Sequence, residues 1–246
     1  VGAGATLRLT ERRVGFGPGA VELAVPAVHA DLGADAGVDH LLLLDAAGGH
    51  HVQGTQVQLG ARAQYRAWVL AGGAALARAD LDVHLIGPGA ACEIAVLYTA
   101  AGHEQADVHV NLEHRAPHTR SRVLARGVAG GAGRAVFNGR VHVHPGANGT
   151  DARMNTGNLL LSAQAEVNAK PELEIYADDV QCAHGAAVGQ MDPAQLHYLR
   201  SRGVDEAQAR TLLIGAFARA VLTGLEDAFD AAQAQAVLDA RLSTLA

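Results

Sequence analysis

The chain has 246 residues, 49% of them hydrophobic and 18% charged, with a formal net charge of −6. This composition is long and apolar enough to bury a core and excludes a disordered chain. Scattered arginines in an acidic background give no concentrated basic face, so nucleic acid is not an expected partner, and no apolar run approaches the ~20 residues of a membrane span.

The opening residues, VGAGATLRLT, have the glycines of a phosphate loop but no following helix. They show no basic segment leading into an apolar stretch, so no signal peptide is expected. They also start abruptly in strand-like pattern, as a fragment or a trimmed chain would. Alternation begins at Val21, Leu23 and Val25 and is interrupted by the apolar run Leu41–Leu44. His50 and His51 would point to opposite faces of a strand, which argues against a shared metal. Period-two runs continue through Leu81, Val83 and Leu85, then through Val108, Val110 and Leu112. In RVHVHP, His142 and His144 lie on one face, opposite Val141 and Val143. Two imidazoles at that spacing can share a metal, but the expectation is the solvent face of an alternating strand. Glu172 and Glu174 occupy the polar face of PELEIYA, and Asp178-Asp179 follows.

Roughly a dozen such runs, with no convincing helix among them, leave a sandwich, a barrel or a parallel β-helix. Only Asn138-Gly139 and Asn148-Gly149 signal hairpins, too few for antiparallel connections. Short runs, sparse aromatics and small residues at the corners favour a stacked coil. The predicted body spans residues 1–191.

Cys182 and His184 end this region. On an extended strand they share a face, their α-carbons ~6.5–7 Å apart, and thiolate and imidazole suit iron and zinc. Two ligands do not close a site, and the sequence offers no C-x-x-C or nearby third ligand. Cys92 reads as a small buried hydrophobe, and two distant cysteines fit a reduced, cytoplasmic setting.

After Asp192 the period becomes helical over residues 192–246. Asp192-Pro193 is an N-cap followed by proline at the first helical position, and Gly203 ends that helix. Asp205 and Glu206 begin a second helix, whose Ala209, Leu212, Leu213, Ala216, Phe217, Ala220 and Val221 make an expected packing stripe. A last helix from about Asp230 carries Val237, Leu238, Leu242 and Leu245.

From Met154 to Ala218 the sequence resembles the SufB/SufD family of iron–sulfur cluster assembly proteins. The K-P-x-L-E-I-Y-A-D-D-V-x-C-x-H-G-A-x-V-G run and the Tyr198–Gly203 turn carry the likeness, the former resembling the SufD branch. The resemblance implies a right-handed parallel β-helix with a C-terminal helical region, and a non-catalytic scaffold subunit. It implies pairing with a SufB-type paralogue through the β-helices and binding of a SufC-type ATPase through the C-terminal helices. That docking region would run from Asp192 to about Phe229, including Leu199, Arg200, Gly203, Leu212, Leu213 and Phe217. His184 is then a candidate cluster ligand at the partner interface, SufB supplying a cysteine and a carboxylate, with Cys182 in interface or metal chemistry. No cofactor stably bound to the isolated chain is expected, only transient iron or iron–sulfur cluster shared with SufB, and a role in iron acquisition is implied. The helical segment usual before the family's β-helix is not in this sequence. Two other readings remain: a β-helical carbohydrate-active enzyme using paired carboxylates, and a homodimer with a structural role.

Overall fold

The computed structural model describes residues 1–13, 23–45 and 48–245, so Val21 of the first alternating run lies outside it. Among the described residues fourteen strands precede three helices. They are β1 (Thr6–Arg13), β2 (Leu23–Ala24), β3 (Ala27–Leu32), β4 (Gly37–Leu44), β5 (His50–Leu59), β6 (Gln64–Gly72) and β7 (Leu76–Leu85). The remainder are β8 (Ala91–Ala100), β9 (Gln105–His114), β10 (Arg120–Ala129), β11 (Arg134–Val143), β12 (Asp151–Leu160), β13 (Glu166–Ile175) and β14 (Gln181–Gln190). Every ladder is parallel. Sheet A runs β1-β4-β6-β8-β10-β12-β14, and sheet B runs β13-β11-β9-β7-β5-β2 with β3 also on β5. The chain therefore steps from one sheet to the other and back, and the coils of a parallel β-helix stack. Side chains that meet on neighbouring coils include Arg66–Asp39, 27 residues apart, Arg122–Asp151, 29 apart, and Arg140–Glu174, 34 apart.

Two kinds of corner make this possible. Two residues before each strand of sheet A the backbone turns left-handed: at Gly4, Asp35, Arg62, Gly89, His118, Gly149 and Asp179, with φ between 53° and 73°. These corners stack as a ladder, the Asp35 amide donating to the Ala61 carbonyl and the Arg62 amide to the Pro88 carbonyl, both at 2.9 Å. The opposite corner uses a left-handed glycine three residues before β7, β9 and β11, at Gly73, Gly102 and Gly131, where L residues pay steric strain. Asn138-Gly139 makes no turn and lies inside β11. A Cβ on Gly139 would stand 2.4 Å from Met154 Sδ, so the glycine admits a close core contact.

The alternating residues fill two cores. Inside the coils pack Leu42, Val69, Val96, Val108, Phe137 and their neighbours. The Leu41–Leu44 run is buried on both faces. Leu42 and Leu44 point into the coil, while Leu41 and Leu43 join Trp68, Leu70, Leu97 and Val128 in a second core on the outside of sheet A. That outer core is covered by the C-terminal helices, which fold back onto the sheet.

These are α1 (Pro193–Ser201), α2 (Glu206–Arg219) and α3 (Ala232–Leu245), with 3-10 turns at Ala220–Leu222 and Leu225–Asp227. Asp192 and Asp205 cap α1 and α2, accepting from the amides of Ala194 and Gln208, and Gly203 adopts φ 89° after the first. Val237, Leu238, Leu242 and Leu245 of α3 are all buried, as expected. The stripe expected on α2 holds at its ends, where Ala209 and Val221 are buried, and shifts between them. Within the helix the buried residues are Ala209, Ile214, Gly215 and Ala218; Leu212 is 53% exposed, Ala216 is exposed, and Leu213 and Phe217 are half-buried. Ile214 and Ala218 join the outer core, while Gly215 lies against α3, where a Cβ would stand 3.4 Å from a Leu242 methyl.

Candidate functional site

β14 is the terminal strand of sheet A and pairs on one side only, with β12. Cys182 opposes Ala152 and His184 opposes Met154. Both therefore continue inward-facing rows, one running Tyr65, Cys92, Ser121, Ala152 and the other Ala67, Ile94, Val123, Met154. Their environments differ because among the described residues no further coil lies beyond β14. Cys182 is half-buried and packs against the edge of the inner core, whereas His184 is exposed. Burial pushes the Cys182 thiol up, the Ala152 backbone pulls it back and the Asp151 carboxylate adds to the rise. The uncomplexed thiol is thus protonated at neutral pH and becomes a better ligand once a cation displaces its proton. Cys92 lies on the same row three strands away, fully buried, and burial raises its thiol far more.

A groove of about 530 Å³ crosses the outer face of sheet A and ends at Ala183, His184 and Gly185. Its floor and walls include Trp68, Leu124 and Val221, and its charged rim Arg122 and Arg153. Arg122 is held by Asp151. Glu93 is the one carboxylate among the lining residues.

The helical residues singled out in the sequence are separate from this strand. No residue of α1 is buried. Leu199 is half-buried, Arg200 is exposed and pairs with Glu206 at 3.2 Å, and Tyr198 is 58% exposed. On α2, Leu212 faces outward and Phe217 lies beneath the Arg126 guanidinium, 5.6 Å from the ring centroid.

The outer face of sheet B holds a cluster that the sequence reading treated as an ordinary solvent face. His142 on β11 opposes Glu113 on β9 and Glu174 on β13. The His142 and His144 rings stack 4.0 Å apart at 7°. His144 Nε2 bonds Glu113 Oε2, and His142 Nδ1 lies 3.7 Å from that oxygen. Glu113 Oε1 accepts from Arg140 at 2.8 Å and from Asn111 at 3.4 Å. Burial raises the Glu113 carboxyl, but hydrogen bonds from His144 and Arg140, with His142 and Asn111, outweigh it and hold the group down at about 2. Burial and the neighbouring His144 lower His142. The H-x-H spacing was legible in the sequence. Its acidic partner, 29 residues earlier on a neighbouring strand, was visible only through coil register.

Over residues 1–217 the chain matches the family model described as the SufBD core domain of SUF-system FeS cluster assembly. The chain belongs to the SufB/SufD family. It is 42% identical over 158 residues to the iron–sulfur cluster assembly protein SufD of Escherichia coli, covering 64% of this chain and 37% of that protein. This similarity places it on the SufD branch. A SufBD family protein of Synechocystis is 35% identical over 78% of this chain and 42% of its own length. A chloroplastic protein of Arabidopsis thaliana, ABCI7, is 36% identical over 70% of this chain and 36% of its own length. The chain thus spans well under half the length of these relatives. No described helix is long and apolar enough to cross a membrane.

Proposed function

We propose that this SufB/SufD-family chain is a non-catalytic subunit of the SUF iron–sulfur cluster assembly scaffold. It pairs through the β13–β14 end with a SufB-type paralogue and docks a SufC-type ATPase through α1 and the outer side of α2. The observation that carries this reading is β14 itself: a one-sided edge strand with nine of its ten residues exposed, bearing Cys182 and His184. A free strand edge is a template for another chain, and two ligands on it need others from a partner. Iron or nascent cluster is the cargo, held transiently across the interface and not as a resident cofactor. The docking face is supported by the outward Leu212 and Tyr198, which the fold leaves uncovered.

The test is co-expression with SufB-type and SufC-type partners. The three chains should co-purify, and His184→Ala should sharply reduce cluster formation while leaving the complex and the melting curve intact. Cluster assembly at the normal rate in that variant would remove the ligand role; failure to co-purify would remove the partnership.

A further inference from the structure

On most of the outer face of sheet B the charged side chains resolve into local pairs. Arg78 is held by Asp80 and Asp107, and Lys170 by Glu172. One transverse row differs: His84, Glu113, His142 and Glu174 stand in register on four adjacent strands, and His144 joins them from the end of β11. We propose that Glu113, His142 and His144 form a binding site for one divalent first-row transition-metal ion, distinct from the Cys182/His184 strand.

Convergence is the first argument. One ligand atom from each of the three residues lies within 4.8 Å of the other two, and among the described residues no other set of three potential ligands does so. Zinc-like bonds of about 2.0–2.2 Å place ligand atoms roughly 3–3.5 Å apart. Closure therefore needs movement of about an ångström, reached by side-chain rotation on a backbone fixed by the sheet.

Orientation is the second argument. Arg140 and Asn111 occupy Glu113 Oε1, which aims Oε2 at the two imidazoles. Outer hydrogen bonds that fix a ligating carboxylate are the usual support of a metal site. Arg140 also donates to His142 Nδ1 at 2.7 Å. An ion displaces that one bond, while the guanidinium stays on Glu174 at 3.0 and 2.7 Å. Glu174 offsets the arginine's charge, leaving the Glu113 carboxylate to face the ion. Two imidazoles with one carboxylate favour zinc, cobalt, nickel or ferrous ion over calcium and magnesium, which take oxygen ligands.

The test is titration of the full chain with Co²⁺, followed by visible absorption. One equivalent should produce d–d bands that Zn²⁺ abolishes and Mg²⁺ does not. His144→Asn and Glu113→Gln should each lose the bands, with circular dichroism and melting curves checking the fold, and His142→Asn replaces either variant that fails to fold. The double substitution Cys182→Ser/His184→Ala should keep them. Absence of bands in the parent chain, their persistence in folded His144→Asn, or their loss in the Cys182/His184 variant would overturn the proposal. None of these outcomes depends on the partner chains of the scaffold reading, so the two fail separately.

Discussion

His114 is fully buried, its Nδ1 2.8 Å from Thr119 Oγ1 and its Nε2 2.9 Å from Ser121 Oγ. Burial lowers it to about 4, against a small opposing pull from Glu113. An unfolded histidine titrates near 6.5, so protons bind the unfolded chain more tightly between these values. The stability from a neutral His114 is complete above pH 6.5 and is lost as pH falls toward 4, a decline of ~3 kcal/mol at most. Chemical denaturation in chelator across that window should show the slope in the parent chain. A His114→Asn variant should be less stable at pH 7 yet lack that part of the slope. Alternation in ADVHVNLEH correctly puts Val108, Val110 and Leu112 inside and His109, Asn111 and Glu113 outside. The same parity sends His114 inward, against its polarity. The hydroxyls that make this tolerable come from the next corner and strand, beyond what a local pattern sees.

At the scale of elements, α3 is fastened to sheet A by more than apolar contact. Arg241, 9% exposed, donates to Thr99 Oγ1 at 3.1 Å and pairs with Glu104 at the corner before β9. Arg241→Ala leaves a partly buried carboxylate without its partner and should cost about 2–4 kcal/mol. Limited proteolysis should then cut within α3 before the β-helix, and a cleavage pattern unchanged from the parent would contradict this fastening. The sequence located all three helices, the N-cap and stop of the first and the start of the second, because Asp192-Pro193, Gly203 and Asp205 act locally. It misjudged the buried face of α2. An i, i+3, i+4 pattern of leucine and alanine admits more than one face, and the choice is made by tertiary partners: Ile214 and Ala218 enter the outer core, and Gly215 meets Leu242 of α3. The double burial of Leu41–Leu44 likewise depended on helices about 170 residues later.

For the whole molecule, the stacked coil was readable from the scarcity of hairpin signals and the small corners. The pairing of β-strands about 29 residues apart was not, since no strict repeat marks it. In a solenoid each coil is stabilised mainly by its two neighbours. β13 has no fully buried residue and β14 has one half-buried residue, Cys182, whereas each strand from β5 to β12 has at least four buried residues. Amide hydrogen exchange should therefore slow from β14 inward, with the interior strands opening only on global unfolding. Adding a paralogous partner should slow exchange selectively in β13 and β14; uniform protection along sheet A would argue against an end-on contact. His184 and Cys182 thus stand at the least protected end of a stability gradient. On the proposed pairing, their fixation and the capture of a second chain become one equilibrium, and the apparent affinity for the partner would contain the free energy of ordering this final coil.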